Sequence, residues 1–272
     1  MARHQDGDET VMKDYAIILA ADVPSSDQVF SLVREVGPWI DGLKIGVPTL
    51  LEAGVGILGK LSDLIEGKPL LIDLKVADIG FSSKGKWTGT NSKIISKLKS
   101  TGATHVTVHG FPGPASIAEA VERAHEADIH VLLLPTMSHP GAELFFSLEF
   151  NPANRPDPDS TIIISDSGLS NARDVTEAIL MLGETLDVDG YIGPATRPDD
   201  LEKYRKISSK SIWCPGFGRQ DRLGRDISQQ LETWARVVGP NSAAIVGSLI
   251  IDDESPHQAA KKLMMTRNDI LG

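Results

Sequence analysis

Short apolar segments recur at intervals along the whole of this 272-residue chain. Each is four to seven residues long and is bounded by polar or turn-forming residues. Such runs are typical of the buried strands of a parallel sheet. The sequence predicts eight of these strands, at residues 15–21, 41–46, 70–75, 105–109, 130–135, 190–193, 211–214 and 243–247.

Amphipathic helical patterns lie between most of the predicted strands. They cover residues 25–36, 48–65, 91–101, 114–127, 171–186, 198–207 and 227–238. Alternating strands and helices form parallel sheets with right-handed crossovers, and eight units fit a closed barrel better than an open doubly wound sheet. We therefore expect an α/β fold, a (β/α)8 TIM barrel.

The predicted barrel occupies residues 14–272 as a single domain, and the polar residues 1–13 are expected to form a flexible tail. Two segments are longer than the barrel requires. Residues 80–89, GFSSKGKWTG, lengthen the loop after the third strand, and residues 147–170 extend the region after the fifth. Prolines and aspartates disfavour a helix in the second insertion, although its TIIIS stretch can form a short extra strand. Long loops at this position are either lids or inert surface.

Composition restricts the partners and the cellular location. The net charge of −10 argues against a general nucleic-acid or membrane surface, so an anionic substrate needs a locally positive pocket. The single cysteine, Cys214, excludes an intramolecular disulfide and fits a reducing compartment. No apolar run has membrane-spanning length, and the polar start lacks the apolar core of a signal peptide. We expect a cytoplasmic protein.

Opposite charges stand at the carboxyl end of the third predicted strand, LLIDLKVADIG. Asp73 and Lys75 share a strand face that begins apolar, and Asp78 follows in the next loop. A single pair of this kind is ordinarily a solvated salt bridge. The first two strands, however, place Asp22 and Lys44 at the same rim, where the active sites of barrels lie. Alternating charges from three adjacent strands favour a functional site.

These alternating lysines and aspartates suit decarboxylation through a carbanion. A lysine held among carboxylates keeps its proton, because opposite charges favour the ionised form. Such a cationic acid can stabilise a developing carbanion and then protonate it. A carboxylate fixed beside it repels a substrate carboxylate and favours its loss as carbon dioxide.

Glycine-containing loops follow the seventh and eighth predicted strands, where barrels of this type often bind phosphate. After the seventh strand, CPGFGRQDR contains Gly216 and Gly218, which allow backbone N–H groups to approach an anion. It is not a dinucleotide fingerprint, because Asp221 occupies the third glycine position. The sequence IVGS after the eighth strand offers Gly247 for a similar approach. The two loops together predict a phosphate site.

Five motifs follow one another along the chain at or just after predicted strands. The most specific is Asp73-x-Lys75-x-x-Asp78-Ile79, together with Lys44 in LKIG. The others are VHGFPG, MSHPGAE, IGPATRP and PGFGRQ. Together they resemble the archaeal branch of the orotidine 5′-monophosphate (OMP) decarboxylase family, apart from the two insertions. The resemblance implies conversion of OMP to UMP and CO2 in de novo pyrimidine biosynthesis, with neither a metal nor an organic cofactor.

The resemblance also implies roles for the charged residues. Lys75 would protonate C6 of the nascent UMP carbanion, with Asp73 against the substrate carboxylate. Lys44 would connect this network to the ribose. Asp78, with Ile79 beside it, would reach into the site of the neighbouring subunit. The expected assembly is therefore a homodimer with shared active sites.

Further family positions imply contacts with the rest of the nucleotide. Asp22 would bind a ribose hydroxyl, and Ser138 would contact the pyrimidine edge. Gln220 would contact both base and phosphate. Thr90 resembles the family residue that contacts the ribose of the partner subunit, and Asn91 after it also matches. The serines directly after the D-x-K-x-x-D motif match this family position less well. The remaining expected contacts belong to the glycine-containing loops and are Pro215, Gly218, Gly247 and Ser248.

Ser248 departs from the family pattern, which usually has an arginine immediately after the strand-eight glycine. Serine offers a hydroxyl and a backbone N–H but no positive charge. The loop after the seventh strand contains Arg219 and Arg222, and our hypothesis is that they reach the phosphate instead.

Three other interpretations stay open. A sister group uses a similar D-x-K-x-x-D motif for magnesium-dependent chemistry, including 3-keto-L-gulonate 6-phosphate decarboxylase and hexulose-phosphate synthase. Those enzymes have a glutamate metal ligand where this chain has Lys44, which has no lone pair for a metal when protonated. A non-catalytic nucleotide-binding barrel is the second alternative, supported by Ser248 alone. The third is a stable barrel with a structural charge cluster.

Overall fold

In the computed structural model, eight parallel strands close into a barrel, as the sequence predicts. The structure describes residues 13–83, 85–151, 168–221 and 223–271. Each barrel strand pairs with the next barrel strand in the chain, and the last pairs with the first. The strands are β1 (Tyr15–Ala20), β2 (Gly42–Gly46), β3 (Leu70–Val76), β4 (His105–His109), β5 (His130–Leu134), β6 (Gly190–Ile192), β7 (Ser211–Pro215) and β8 (Ser242–Val246).

Helices connect the strands, and several begin at capping side chains. Asp226 accepts a hydrogen bond from the N–H of Gln229, whose side chain accepts one in return from the N–H of Asp226. The pattern over residues 48–65 predicts one helix, but the structure has two, because Gly54 turns the chain with φ +70°. The helices are α1 (Ser26–Val36), α2 (Val47–Ala53), α3 (Ile57–Leu64), α4 (Thr90–Ser96), α5 (Pro114–His125), α6 (Glu143–Phe146), α7 (Val175–Thr185), α8 (Pro198–Ile207), α9 (Ile227–Val238), α10 (Ser248–Ile251) and α11 (Pro256–Leu271).

The barrel strands bury two separate apolar clusters. Outward side chains such as Ile17 belong to the large cluster between strands and helices. Inward side chains such as Ile18 and Leu71 form a smaller cluster inside the barrel. Because side chains alternate along a strand, Asp73 and Lys75 share the inward face with Leu71. The charged residues of β3 therefore continue an apolar interior up to the carboxyl rim.

The two predicted insertions lie after β3 and β5. The first forms a small antiparallel hairpin between Ser82–Ser83 and Lys86–Trp87. The second is described only at its two ends, residues 147–151 and 168–170. The short strand expected from TIIIS therefore lies outside the described residues, as do residues 1–12 of the expected tail.

Candidate active site

Four charged side chains form one continuous chain at the carboxyl rim of β1, β2 and β3. Lys44 Nζ lies 3.0 Å from Asp22 Oδ2 and 3.1 Å from Asp73 Oδ2. Lys75 Nζ lies 2.8 Å from the other carboxylate oxygen of Asp73. Asp73 therefore contacts a lysine through each oxygen, and the order of alternating charges is Asp22, Lys44, Asp73 and Lys75.

An unusual backbone conformation brings Lys75 into this chain. Its φ is +48°, in the left-handed region that costs a non-glycine residue energy. The pairing register of β3 and β4 shifts between Ile72 and Val76, as it does at a β-bulge. The Lys75 N–H donates to Thr107 Oγ1 at 2.8 Å, and this hydroxyl donates to Asp73 Oδ1 at 2.9 Å. Thr107 thus fixes both the backbone of the lysine and the carboxylate beside it.

The charge states of the central pair follow from their neighbours. Lys44 is buried, and burial lowers its pKa, but Asp73 and Asp22 more than offset this effect and raise the pKa. Burial raises the pKa of Asp73, but Lys44, Lys75 and the Thr107 hydroxyl leave the pKa below its ordinary value. The partly buried site therefore contains a protonated Lys44 beside an ionised Asp73.

A cavity of about 450 Å³ opens at the carboxyl ends of the strands, above this charge network. Lys44, Asp73 and Lys75 contribute to its wall. Its polar and apolar lining is of the kind that binds a small molecule. The other sequence-predicted residues that line it are Asp22, Ser138, Pro215, Gly216, Gln220, Gly247 and Ser248.

An adjoining cavity of about 530 Å³ shares two residues with the first, Ser138 and Gln220. Arg219 lines this second cavity, where Arg197 contributes another guanidinium. Gly218 adopts φ +81° in the loop that separates β7 from α9, and its N–H donates to Gln230 Oε1 at 2.8 Å. Arg222, the second arginine of the phosphate hypothesis, lies outside the described residues.

Asp78 and its neighbours lie apart from the main cavity. The backbone of Asp78 is held by Asn91, whose Oδ1 accepts from the Asp78 N–H and whose Nδ2 donates to the Asp78 carbonyl, both at 3.0 Å. The Asp78 side chain is exposed, and Ile79 exposes 72% of its surface. Thr90 is the first residue of α4, directly before Asn91. The two hydrogen bonds with Asn91 therefore hold the backbone of Asp78, while the side chains of Asp78 and Ile79 are exposed.

A family model described as orotidine 5′-phosphate decarboxylase / HUMPS matches residues 15–263 of the chain. The chain belongs to this orotidine 5′-phosphate decarboxylase / HUMPS family. Curated relatives agree: orotidine 5′-phosphate decarboxylase of Methanococcoides burtonii is 30% identical over 253 residues, 92% of this chain and 96% of the relative. The enzyme of the same name from Methanosphaera stadtmanae is 29% identical over 91% of this chain and 95% of the relative.

Solved structures of the orotidine 5′-phosphate decarboxylase / HUMPS family share the fold. The crystal structure of orotidine 5′-monophosphate decarboxylase from Methanocaldococcus jannaschii, complexed with the inhibitor BMP, is 28% identical and has a TM-score of 0.73. The match covers 94% of this chain and 99% of that one. The enzyme from Pyrococcus horikoshii, at 24% identity and a TM-score of 0.68, shows the same fold.

One alternative left open by the sequence is a magnesium-dependent enzyme, so the capacity of the site for a metal is informative. In the part of the chain that the structure describes, no group of three or more histidine, cysteine, aspartate or glutamate side chains is arranged to hold a metal ion. Lys44 instead separates the carboxylates of Asp22 and Asp73.

No helix within the described ranges is both long and apolar enough to cross a membrane.

Two residues that support the site, Thr107 and Glu119, were not predicted from the sequence. Thr107 could have been found, because it is the inward position of β4 beside Asp73. Glu119 gave no such signal. It is fully buried on α5, and its two carboxylate oxygens accept from the Phe81 N–H at 2.9 Å and the Ser92 N–H at 3.0 Å. It thereby ties both ends of the first insertion to the barrel, next to Asp78.

His109 supplies a prediction on pH. It is buried beside Phe111 and Phe146, and burial together with the nearby Lys75 cation lowers its pKa to about 4. Between its unfolded pKa of about 6.5 and this value, only the unfolded chain binds the proton, so stability falls as pH falls through that window. The slope is at most about 1.4 kcal/mol per pH unit.

His109 Nδ1 accepts a hydrogen bond from the Phe111 N–H at 3.3 Å. We expect His109→Asn, whose side-chain oxygen can accept this bond instead, to lose part of the acid sensitivity. Urea unfolding at pH 7, 6, 5 and 4 measures it for both proteins. Equal loss of stability in both between pH 6.5 and 4 would show that His109 does not cause it.

Proposed function

We propose that this chain decarboxylates OMP to UMP and CO2, in de novo pyrimidine biosynthesis, without a metal or an organic cofactor. The observation that carries the proposal is the contact of Lys75 Nζ with Asp73 Oδ1 at 2.8 Å in the cavity wall, with Lys44 on the other oxygen. This arrangement holds an ionised carboxylate beside a cationic proton donor. Membership of the family, and the M. jannaschii relative that binds BMP, support the same reaction.

The chemistry follows from the charges. The substrate carboxylate lies against Asp73, whose negative charge disfavours the carboxylate but not neutral CO2. The bond from C6 to the carboxyl carbon breaks, CO2 leaves, and the electron pair stays on C6. The Lys75 ammonium stabilises this carbanion electrostatically and donates a proton to C6, which gives UMP. Water then returns a proton to Lys75.

The remaining cavity residues suit the rest of the nucleotide. Asp22 accepts from Lys44 and can accept from a ribose hydroxyl with its remaining lone pairs. Ser138 offers a hydroxyl to the pyrimidine edge, and Gln220 lies between the two cavities, within reach of base and phosphate. The backbone around Pro215 and Gly247, with the Ser248 hydroxyl, forms the phosphate end, whereas the N–H of Gly218, which was also expected there, donates to Gln230 instead. Arg219 supplies the positive charge that Ser248 lacks, and Arg222 stays a second candidate.

The experiment that tests the reaction follows the fall in ultraviolet absorbance of OMP, with UMP identified chromatographically. We expect turnover by the wild-type protein, unchanged by excess EDTA, because Lys44 neutralises the carboxylates that would otherwise bind a cation. Absence of turnover in fully folded protein would contradict the proposal. Turnover that stops with EDTA and returns with Mg²⁺ would instead support the magnesium-dependent sister chemistry.

We further propose a homodimer in which Asp78, Ile79 and Thr90 complete the site of the partner subunit. Support comes from the outward position of Asp78 and from its fixed backbone, which Asn91 and Ser116 hold. The loop after β3 also exposes the large apolar side chains of Ile79 and Phe81, which are 72% and 54% exposed.

A cytoplasmic location stays a prediction from the sequence.

Mixed dimers test the shared site. We expect Asp78→Asn and Lys75→Ala to be inactive alone but to recover about a quarter of wild-type activity when unfolded together and refolded, because half of random dimers are mixed and each has one intact site. Each variant refolded alone is the control. No recovery, with mixed dimers demonstrated by differently tagged chains, would place Asp78 outside the partner's site.

A further inference from the structure

An acidic residue faces the phosphate end of the main cavity. Asp252, directly after α10, lines it together with Gly247 and Ser248. Its side chain is 44% exposed, so its carboxylate meets the solvent of the cavity mouth. In the proposed function a phosphate dianion must bind at this end. A carboxylate here opposes that binding unless a cation lies between the two.

Arg219 contacts Asp252 from the opposite loop. Its Nη1 lies 2.9 Å from Asp252 Oδ2. The two loops are in close contact beside this pair, since a Cβ on Gly218 would lie 2.5 Å from the Cγ of Leu249. Arg219 also lines the adjoining cavity with Gln220. The ion pair therefore bridges the loops after β7 and β8 at the phosphate end.

The rest of the β7 loop is braced more firmly than this pair. Arg225 pairs with Asp221 at 2.9 Å, and both side chains are mostly buried. Gln230 accepts from the Gly218 N–H and donates to the Arg225 carbonyl. Arg219, by contrast, exposes 72% of its side chain. Its guanidinium can exchange partners while the base of the loop keeps its position.

The exchange favours phosphate over Asp252. Water screens an exposed ion pair, which therefore contributes little to stability. A guanidinium binds a phosphate dianion more strongly, through two parallel charge-assisted hydrogen bonds. The dianion also carries more negative charge than the single carboxylate. Arg219 thus has a weak partner in the free protein and a stronger one when a nucleotide binds.

We propose that Arg219 changes partner from Asp252 to the substrate phosphate, and that Asp252 thereby limits the affinity of the site for 5′-phosphorylated nucleotides. This inference rests on the proposed function. Asp252 acts in two ways: it occupies the guanidinium that phosphate needs, and its own charge repels the dianion. It is a specificity-determining residue of this chain, placed where Ser248 leaves the phosphate without an adjacent arginine.

Calorimetric binding of UMP, with uridine as the probe without phosphate, tests the inference. We expect Asp252→Asn to bind UMP about three- to tenfold more tightly than wild type, with uridine binding unchanged. Arg219→Ala should weaken UMP binding about tenfold or more, and the gain from Asp252→Asn should be smaller in its background. Asp253→Asn, which removes the same charge one residue away, is the matched control and should change neither.

Equal or weaker UMP binding by Asp252→Asn, or an equal gain for uridine, would overturn the inference. So would an equal gain from Asp253→Asn, because it would reveal only an effect of net charge. UMP binding is measured without turnover, so the two proposals fail separately. The expected binding pattern without OMP decarboxylation contradicts the proposed function, whereas decarboxylation with unaltered UMP binding by Asp252→Asn contradicts the partner exchange.

Discussion

Lys75→Ala should lower kcat/KM for OMP decarboxylation by roughly 10⁴-fold or more, since it removes both the proton donor and the cation that stabilises the carbanion. The wild-type ammonium lies 2.8 Å from Asp73 and in the wall of the cavity. The methyl side chain of alanine cannot donate a proton to C6 of the substrate. It also leaves Asp73 facing the substrate with one lysine instead of two. Spectrophotometric assay of OMP at neutral pH measures the loss.

The fold should survive this substitution. The Lys75 side chain is 38% exposed, and its backbone bond to Thr107 does not depend on the side chain. Near-wild-type circular dichroism is therefore expected. Lys99→Ala, which removes an exposed lysine in the turn after α4, is the matched control and should keep full activity. Activity of Lys75→Ala within tenfold of wild type would remove Lys75 from the proposed mechanism, whatever the control shows.

Lys44→Met should lower kcat/KM by about 10²- to 10³-fold, because it removes a preorganised buried cation. Asp22 and Asp73 would then share a site without the charge that separates them. Loss of Lys44 should also raise the pKa of Asp73, because the positive charge of Lys44 is the largest single effect that lowers this pKa. The acid limb of the pH profile of kcat/KM should therefore move to higher pH.

The pH profile distinguishes this electrostatic role from general damage. A merely destabilised protein would lose activity at all pH values without a shift of the acid limb. Lys60→Met, on the exposed face of α3, is the matched control. An unshifted acid limb in Lys44→Met, with reduced activity, would mean that Lys44 does not set the charge of Asp73.

Much of the fold and the rim of charges could be predicted from local pattern. Alternation along β1 and β3 separates Ile17 from Ile18, and it places Asp73 and Lys75 on the inward face with Leu71. Successive side chains of a strand point to opposite faces of the sheet. In a barrel, one face is packed against the helices and the other points into the interior. The rim of alternating charges follows from strand order alone, because consecutive strands in a (β/α)8 barrel are neighbours.

Other features depend on residues that are distant in sequence. The left-handed backbone of Lys75 needs the shifted register with β4 and the hydroxyl of Thr107. In the sequence, Glu119 looks like any acidic residue of an amphipathic helix. Its role depends on the N–H groups of Phe81 and Ser92, which the fold brings to its carboxylate. No local propensity encodes either arrangement, since each is a compromise between elements that meet only after the barrel closes.

By itself the sequence determined that the chain forms a barrel, which strand ends carry charge, and where an anion could approach. These properties follow from periodicity and from residue type, which act locally. Only the tertiary structure decided which charges pair. It joined Asp22, Lys44, Asp73 and Lys75 into one network and left Asp78 outside the cavity. Electrostatic energy depends on separations of a few ångströms, and packing of the whole barrel sets those distances.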